Sequence, residues 1–266
     1  MRGWQRDLKE LVTEQFEFRE LLFQMASRDL LLRYKQTVMG FGWALLMPLL
    51  NTAIFSIVFM RVAPIATPVP YPLFAYCGLV AWNFTASALR FALTSLTANT
   101  NLVTKVYFPR EIFPFSAVAV AFVDSAVAAL VLLAMMAYYH IQPTWALLAL
   151  PGIVLIHVIV TTMMALALSM ANLFYRDVKY LFEVILTVWM FSSAVVYPSD
   201  ALTGTAGLII SLNPMTVIVE SYRSVLLYGA LPAPLPLAAV AIGSVVGLPA
   251  VWLFFHRSEF QFAENI

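Results

Sequence analysis

The amino-acid sequence predicts an all-α membrane protein with six transmembrane helices, an interfacial amphipathic helix before them and re-entrant half-helices between the fifth and the sixth. Composition is the first reason: of 266 residues, 62% are hydrophobic and 11% are charged, whereas soluble domains carry about 25% charged residues. The second reason is that residues 36–60, 125–175 and 231–256 contain no Asp, Glu, Lys or Arg. A bilayer core needs about 20 apolar residues per helix, so each run can hold at least one span and the middle run two.

The N-terminal segment, residues 1–35, is predicted to be a domain of its own. It carries thirteen charged side chains before the first apolar run, a layout unlike that of a cleavable signal peptide. We expect a helix that lies in the membrane interface with its apolar stripe towards the lipid; a short coiled-coil seam is the alternative. The stripe recurs every seven residues and consists of Trp4, Leu11, Phe18, Met25 and Leu32, with Leu8 and Leu22 beside it.

The second domain, residues 36–266, contains the six predicted spans. Loops rich in proline or in polar residues separate them, and the fourth begins after the short break 140–143. The predicted spans are about 39–60, 73–96, 112–139, 145–173, 180–197 and 235–256.

Segment 198–230 lies between the last two spans and contains apolar stretches too short to cross a bilayer. Asn213-Pro214 separates two of them. Non-helical backbone at membrane depth is tolerated only where it is buried in protein or lines a cavity. We therefore predict a re-entrant pair of half-helices here, with a surface loop carrying one amphipathic helix as the alternative.

The distribution of Lys and Arg predicts the orientation of the chain. With the N-terminus inside, the cytoplasmic segments hold twelve of these residues and the outer segments hold two, Arg61 and Arg223. An even number of spans then returns the C-terminus to the cytoplasm. Cys77 is expected near the outer face and Arg110 near the cytoplasmic face.

Motifs of catalysis and of nucleotide binding are absent from the sequence. None of the four lysines follows a glycine, so there is no Walker A loop, and no GxSxG elbow occurs. The three histidines, His140, His157 and His256, are far apart without ligand-like spacing, and the single Cys77 excludes a cysteine zinc site. We therefore predict no metal site, no enzyme activity and no cofactor on this chain. The sequence also lacks a basic patch with interleaved aromatic residues, so nucleic-acid binding is not expected.

Three ionisable residues lie inside or near the predicted spans: Arg90, Asp124 and Glu183. Charges at the bilayer centre cost about 2.5–3.5 kcal/mol on insertion scales, so such residues normally face a partner or water. They line a polar path or form interhelical contacts that fix packing, and the sequence leaves both open. Aromatic residues make up 14% of the chain and suit either interfacial belts or stacking on sugar rings.

Several segments together resemble a known family, the type-2 ABC exporter permeases, in the branch that exports O-antigen polysaccharide and teichoic acid. The resemblance covers nearly the whole chain from residue 28. It is carried by residues 28–29 (RD), 33–40 (RYKQTVMG), 43–49 (WALLMPL), 101–114 (NLVTKVYFPREIFP), 172–177 (NLFYRD), 212–215 (LNPM) and 220–223 (ESYR).

The resemblance implies a homodimer in the bacterial cytoplasmic (inner) membrane, bound to two ATPase subunits that carry ATP and Mg. It also implies an aromatic-rich channel for a lipid-linked glycan of the O-antigen, teichoic-acid or capsule type. An ABC permease for a drug or a lipid is one alternative. A membrane-embedded enzyme of lipid-linked sugars is another, and it would be expected to cluster acidic or histidine residues at one membrane face.

The resemblance also implies two sets of functional residues. A basic-aromatic segment between the second and third spans is expected to insert into the ATPase, although anchoring in anionic headgroups is the alternative. This set is Lys105, Tyr107, Phe108, Arg110 and Glu111. A second set is expected to form a gate on the outer side of the membrane: Asn213, Pro214, Glu220, Tyr222 and Arg223.

Overall fold

The computed structural model describes residues 11, 13–35, 37–105, 108–201, 203–259 and 262, and this part of the chain is helical without β-strands. The helices are α1 (Arg19–Tyr34), α2 (Gly42–Ile57, continued by a π-helical turn Val58–Val62), α3 (Tyr71–Ala98), α4 (Thr100–Lys105), α5 (Ile112–Tyr138), α6 (Leu150–Phe174, preceded by a 3₁₀ turn Trp145–Ala149), α7 (Val178–Phe191), α8 (Gly204–Leu212), α9 (Pro214–Leu226) and α10 (Pro234–Ser258).

Five helices of the described chain are long and apolar enough to cross a membrane, and they confirm five of the predicted spans. Each agrees with its predicted segment to within a few residues at either end, because long apolar runs with at most one charge leave little choice of where a span begins and ends. They are Gly42–Val62, Tyr71–Ala98, Ile112–Tyr138, Trp145–Phe174 and Pro234–Ser258.

The fifth predicted span, residues 180–197, differs from its expectation. Its helix, α7, ends at Phe191 after 14 residues, which is about 21 Å against a hydrocarbon core of about 30 Å. The chain then turns without regular structure, and Ala194, Val195 and Val196 are fully buried there. A crossing of the bilayer by this short helix and its irregular extension, and with it the count of six spans, stays a prediction.

Helix α3 is the centre of the bundle and packs against α2, α5, α6, α7 and α9. Small side chains explain how so many helices approach it, because alanine on a membrane helix lets backbones come close. Five of its alanines are buried: Ala75, Ala81, Ala86, Ala88 and Ala92. We call the end of the bundle that contains Asn99, Arg110 and Glu259 the proximal end, and the end that contains His140 and Gly229 the distal end.

Helix α1 packs along α5, and two sets of side chains hold it there. Asp29 accepts a hydrogen bond of 3.0 Å from the Ser116 hydroxyl, and Arg28 donates one of 3.1 Å to the Asn99 side chain at the end of α3. The apolar side of α1 joins a buried cluster at the proximal end, in which Met25 contacts the bundle core and Phe18, Leu21 and Leu22 pack around it.

The predicted apolar stripe of the N-terminal segment therefore faces protein over most of its described length. Leu11 and Met25 are buried, whereas Leu32 is exposed; Trp4 and Leu8 lie outside the described residues. A different face of the segment, with Phe16 and Phe23, is turned outwards. Periodicity alone identified an apolar face without indicating whether protein or lipid covers it, and the position of the helix relative to the bilayer stays a prediction.

Segment 198–230 contains two short helices that meet at Asn213, where the sequence predicted a break between half-helices; that the pair is re-entrant stays a prediction. Asn213 caps α9 by accepting a 3.0 Å hydrogen bond from the Met215 amide, and Pro214 occupies the first helical position, where a missing N–H is harmless. The Met215 sulfur lies 3.6 Å from the Thr85 hydroxyl. Since Thr85 is fourteen residues after Tyr71 in the 28-residue α3, the junction reaches about half-way along that helix.

Candidate functional site

The two charges predicted inside the second and fifth spans form an ion pair between α3 and α7. The Arg90 guanidinium donates to both oxygens of Glu183 at 3.0 and 3.2 Å, and the two side chains are 50% and 54% exposed. Arg90 lies eight residues before the end of α3, about 12 Å from the proximal end. A half-exposed ion pair at that depth needs water or protein around it rather than lipid.

Asp124 is paired with α1, a partner that the sequence did not suggest. Its carboxylate accepts hydrogen bonds from Arg33 and, at 2.6 Å, from the Tyr34 hydroxyl. Burial raises the pKa of that hydroxyl, so Tyr34 stays a proton donor to Asp124. The Arg33 guanidinium also lies 3.7 Å from the centre of the Phe91 ring. This pair joins α1 to α5 twelve residues after Ile112, about 18 Å along the helix.

A cavity of about 590 Å³ lies between α1, α2, α3 and α5 and connects these two ion pairs. Both Arg90 and Asp124 line it, so the structure brings these two predicted residues to one space. Its wall mixes aromatic rings with uncharged polar side chains, which suits a hydroxyl-rich molecule as well as water. Members of that wall are Tyr34, Trp43, Asn51, Asn83, Ser87 and Ser125.

The five residues predicted as a gate lie on or beside α9, between the middle of α3, where Asn213 and Pro214 are, and the distal end. Arg223 is the most buried of them. Its guanidinium is fully enclosed and donates to the backbone oxygens of Ala194 at 2.9 Å and Val195 at 2.5 Å. It also donates at 2.8 Å to Glu220 and lies 3.6 Å from the Phe74 ring centre. Arg223 therefore binds the carbonyls freed where α7 ends.

Close packing surrounds this guanidinium. Gly78 of α3 faces it, and a Cβ at position 78 would come within 2.6 Å of the Arg223 side chain as well as against the Val195 carbonyl. Tyr71 donates a 2.8 Å hydrogen bond to the Val196 carbonyl. We call this set, Tyr71, Gly78, residues 194–196, Glu220 and Arg223, the distal junction.

Asn213 binds the other side of the break after α7. Its side-chain amide donates at 2.9 Å to the Ser192 carbonyl and to the Ser193 hydroxyl, and its oxygen accepts from the Trp189 indole at 3.2 Å.

Tyr222, another of the predicted gate residues, contacts α6 instead: its hydroxyl lies 3.3 Å from His157 Nδ1. His157 was noted in the sequence only as a histidine without metal-like spacing, and its ring also lies 2.7 Å from the Thr85 hydroxyl.

The predicted ATPase-contacting segment is only partly described. Tyr107 lies outside the described residues, and for Lys105 the backbone is described as the end of α4. Phe108 and Glu111 are buried, so these two side chains pack inwards instead of forming an exposed surface. Arg110 is engaged within the chain: its guanidinium donates to the Val103 carbonyl at 3.1 Å and pairs with Glu259 at 3.1 Å.

Glu111, His256 and Glu259 form a cluster at the proximal end, which the sequence analysis did not anticipate because its members are up to 148 positions apart. One ligand-type atom of each lies within 4.8 Å of the others. Burial raises the pKa of Glu259, and the neighbouring Glu111 adds to this, whereas Arg110 opposes it.

Comparison with known proteins agrees with this arrangement of long apolar helices. The model of a family described as ABC-2 type transporter matches residues 20–227. The chain belongs to the ABC-2 type transporter family. Its relatives include an O-antigen export system permease protein RfbA of Myxococcus xanthus, 30% identical over 258 residues, which are 96% of this chain and 99% of the relative.

Two further relatives carry the same name and come from Klebsiella pneumoniae. One is 28% identical over 246 residues and the other 27% identical over 249 residues, each covering 92% of this chain and 94% of the relative. The likeness extends on both sides of the segment that the family model matches. The protein is thus a multi-pass membrane permease of the ABC-2 type, as the resemblance of its motifs implied.

Proposed function

We propose that this chain is the membrane-spanning permease subunit of an ATP-driven exporter that moves lipid-linked polysaccharide across the bacterial cytoplasmic membrane. The observation that carries the proposal is the likeness, at 30% identity over 96% of the chain, to a protein named as an O-antigen export permease. The proposed substrate is a glycan of the O-antigen, teichoic-acid or capsule type. ATP hydrolysis belongs to a separate subunit, present in two copies with its Mg.

The cavity and the ion pairs support a polar path for such a substrate. A glycan presents hydroxyls and ring faces, which hydrogen-bond to amide and hydroxyl side chains and stack on aromatic rings. Asn83, Ser87 and Trp43 offer these groups beside Arg90 in one cavity. Arg90, Asp124 and Glu183 each have an oppositely charged partner, so they leave little net electric field that would trap a polymer. These residues can therefore fix the packing of the helices and also line the path.

A second copy of the chain is the proposed partner on the bare side of α2 and α7. Only 11% of the apolar window in Gly42–Val62 is buried within one chain, and α7 exposes Leu181, Val184, Ile185 and Val188. The half-exposed pair of Arg90 and Glu183 borders this side, which argues for a water-filled path between two copies. Helix α10 is equally bare but packs against α6 and α9, whereas the Arg90–Glu183 pair lies on α3 and α7, so α10 is the proposed lipid-facing side.

Cross-linking tests the dimer. In a Cys77→Ala background, we expect disulfide cross-linking in membranes between chains carrying Ile54→Cys and chains carrying Val188→Cys, since both positions are exposed on the proposed face. Leu133→Cys on α5 is the matched control, because it is equally exposed but lies away from α2 and α7. Cross-links at position 133 with none at 54 and 188 would contradict this choice of interface.

The proposed orientation puts the proximal end, with both termini, in the cytoplasm. In the same Cys77→Ala background, Leu231→Cys at the distal end should react with an impermeant thiol reagent in intact spheroplasts. Tyr175→Cys at the proximal end should react only after permeabilisation. Both native side chains are exposed, so burial does not explain a difference, and the reverse pattern would overturn the orientation.

The segment between α3 and α5 is the proposed contact with the ATPase. Because Arg110 is engaged with Glu259 and with Val103, its replacement would disturb the fold, and Lys105→Glu is the cleaner test. Contact with the ATPase predicts normal membrane insertion with less complex or weaker stimulation of ATP hydrolysis. Headgroup anchoring predicts poor insertion, with any complex that forms fully active.

Complementation tests the export function itself. In a strain that lacks its own O-antigen permease, expression of this chain together with its cognate ATPase should restore surface polysaccharide. Deletion of the native gene should leave polyprenyl-linked glycan inside the cell. Unchanged surface glycans with accumulation of a small toxic compound would favour a drug or lipid permease. Glycan modification by the purified chain without ATPase would favour an enzyme and would direct attention to the Glu111 cluster.

A further inference from the structure

A second cavity, of about 250 Å³, lies between α3, α5, α6 and α9. It is distinct from the cavity of about 590 Å³ that contains Arg90 and Asp124. Its wall consists mainly of Ala, Val, Leu and Phe side chains, and no Asp, Glu, Lys or Arg of the described chain lines it. We call it the apolar cavity and the larger one the polar cavity.

The apolar cavity opens on the outer surface of the bundle between α5 and α6. Phe122, Ala126 and Leu133 of α5 line it and are themselves exposed. Leu130 and Leu155, on the same two helices, are exposed as well. Apolar helix surfaces of this kind face lipid in a multi-pass membrane protein. A molecule dissolved in the bilayer can therefore enter the cavity without crossing water.

Two polar side chains, His157 and Tyr222, belong to the inner wall of the apolar cavity. His157 is fully buried, and both of its nitrogens have partners: Nε2 lies 2.7 Å from the Thr85 hydroxyl and Nδ1 lies 3.3 Å from the Tyr222 hydroxyl. A phenolic hydroxyl can donate one hydrogen bond and also accept. His157 is its one partner among the described residues, so Tyr222 keeps hydrogen-bonding capacity for a ligand in the cavity.

The size and the wall of the apolar cavity define the ligand that fits. An apolar cavity of about 150 Å³ accepts one benzene ring, so this one accepts a molecule of about ten non-hydrogen atoms. A charged group is excluded, because the wall offers no partner of opposite charge. A hydroxyl fits either tautomer of His157, since it can accept from the Tyr222 O–H or donate to the Tyr222 oxygen, whereas a carbonyl can only accept.

We propose that the apolar cavity is a binding site for an uncharged alcohol from the bilayer, a molecule with an apolar body and one hydroxyl. The body enters between α5 and α6, and the hydroxyl hydrogen-bonds to Tyr222 at the inner wall. Val80, Phe84 and Ser125 line both cavities, so the bound molecule packs against the wall of the polar cavity. Binding at this site depends neither on the transported substrate nor on the proposed export function.

Melting of the full chain in detergent with nonanol or decane tests the site, since the two probes have equal numbers of non-hydrogen atoms and differ in the hydroxyl. The melting temperature should rise with nonanol concentration, and less with decane, because a ligand of the folded state stabilises it by mass action. Tyr222→Phe should weaken nonanol binding about fivefold, the equivalent of one net hydrogen bond, and leave decane binding unchanged. Tyr228→Phe is the matched control, because Tyr228 does not line the apolar cavity.

The single cysteine of the chain supplies a local measurement. Cys77 lines the apolar cavity, so nonanol should slow its modification by methyl methanethiosulfonate, followed by mass spectrometry of the intact chain. Ala129→Leu enlarges a half-buried side chain of the wall and should abolish both the protection of Cys77 and the rise in melting temperature.

Three outcomes would overturn the proposal. The first is a wild-type chain whose melting temperature does not rise with nonanol, or rises equally in Ala129→Leu. The second is equal nonanol affinity in the wild type and in Tyr222→Phe. If the variants do not fold, the wild type alone decides: equal effects of nonanol and decane, or modification of Cys77 that nonanol does not slow, would be the third.

Discussion

Replacement of Arg223 by methionine is expected to destabilise the protein strongly, because no other described donor binds the carbonyls of Ala194 and Val195. Methionine keeps most of the volume of the side chain but none of its donors. Each buried carbonyl that loses its partner costs about 1–3 kcal/mol, so the two together cost about 2–6 kcal/mol. The ion pair with Glu220 adds little, since Glu220 is partly exposed and solvent screens it.

A loss of about 4 kcal/mol, the middle of that range, corresponds to a fall in melting temperature of about 8–16 °C for a chain of this size. Thermal unfolding in detergent, followed by tryptophan fluorescence, is the assay. Trp189 lies in the last turn of α7 and hydrogen-bonds to Asn213, so its emission reports on this region. The melting temperature of Arg223→Lys is expected to lie between those of the wild type and Arg223→Met, because one ammonium keeps the charge but lacks the planar fork that reaches two carbonyls.

The matched control is Arg61→Gln, which removes a positive charge from the exposed distal end of α2. Surface changes of this kind stay within about 0.5 kcal/mol, so its melting temperature should equal that of the wild type. If Arg223→Met melts at the same temperature as Arg61→Gln, the guanidinium does not stabilise the segment after α7 by binding its carbonyls, and the account of the distal junction is wrong.

Three further substitutions test neighbouring contacts by the same melting assay. Gly78→Ala should cost about 1–3 kcal/mol by overpacking, whereas Gly243→Ala, whose Cβ meets no atom within 4 Å, should be neutral or slightly stabilising; equal melting of the two would contradict the packing at Gly78. Asn213→Ala removes a helix cap and two donated hydrogen bonds and should cost about 2–3 kcal/mol, while Ser211→Ala at the exposed end of α8 should cost nothing measurable. Asp124→Asn should cost about 3–5 kcal/mol by leaving the mostly buried Arg33 without this carboxylate, and adding Arg33→Gln should recover part of that loss; a double variant that is only additive would show that the two side chains do not interact.

The long apolar helices could be predicted from the sequence because a bilayer imposes a minimum length on them. Apolar runs of that length have one explanation, and α2, α3, α5, α6 and α10 follow it with at most one Asp, Glu, Lys or Arg in each. The junction of α8 and α9 could also be predicted, since an asparagine cap followed by proline is a local signal for a helix start.

The partners of the charged residues could not be predicted, because they depend on three-dimensional proximity. The Arg223 side chain binds backbone carbonyls 28 and 29 positions away, and carbonyls leave no trace in residue identity. Asp124 pairs with α1, whose charges were expected to lie in headgroups and water. The short α7 was missed for a related reason: residues 192–197 are apolar enough to continue a span, and it is their contacts with Arg223, Tyr71 and Asn213 that stabilise them outside the helix.

In the Arg33–Asp124 pair and in the Arg90–Glu183 pair the arginine leaves the ribosome first, but only Arg90 lies within a long span. Arg33 is synthesised 91 residues before Asp124, so α5 enters the membrane with its partner already made. Arg90 is synthesised 93 residues before Glu183, and α3, which contains it, has the lowest mean hydropathy of the five long spans. During biogenesis α3 therefore remains the weakly inserted helix until α7 emerges, and a chain truncated before residue 183 should release α3 from the bilayer more readily than the full chain does.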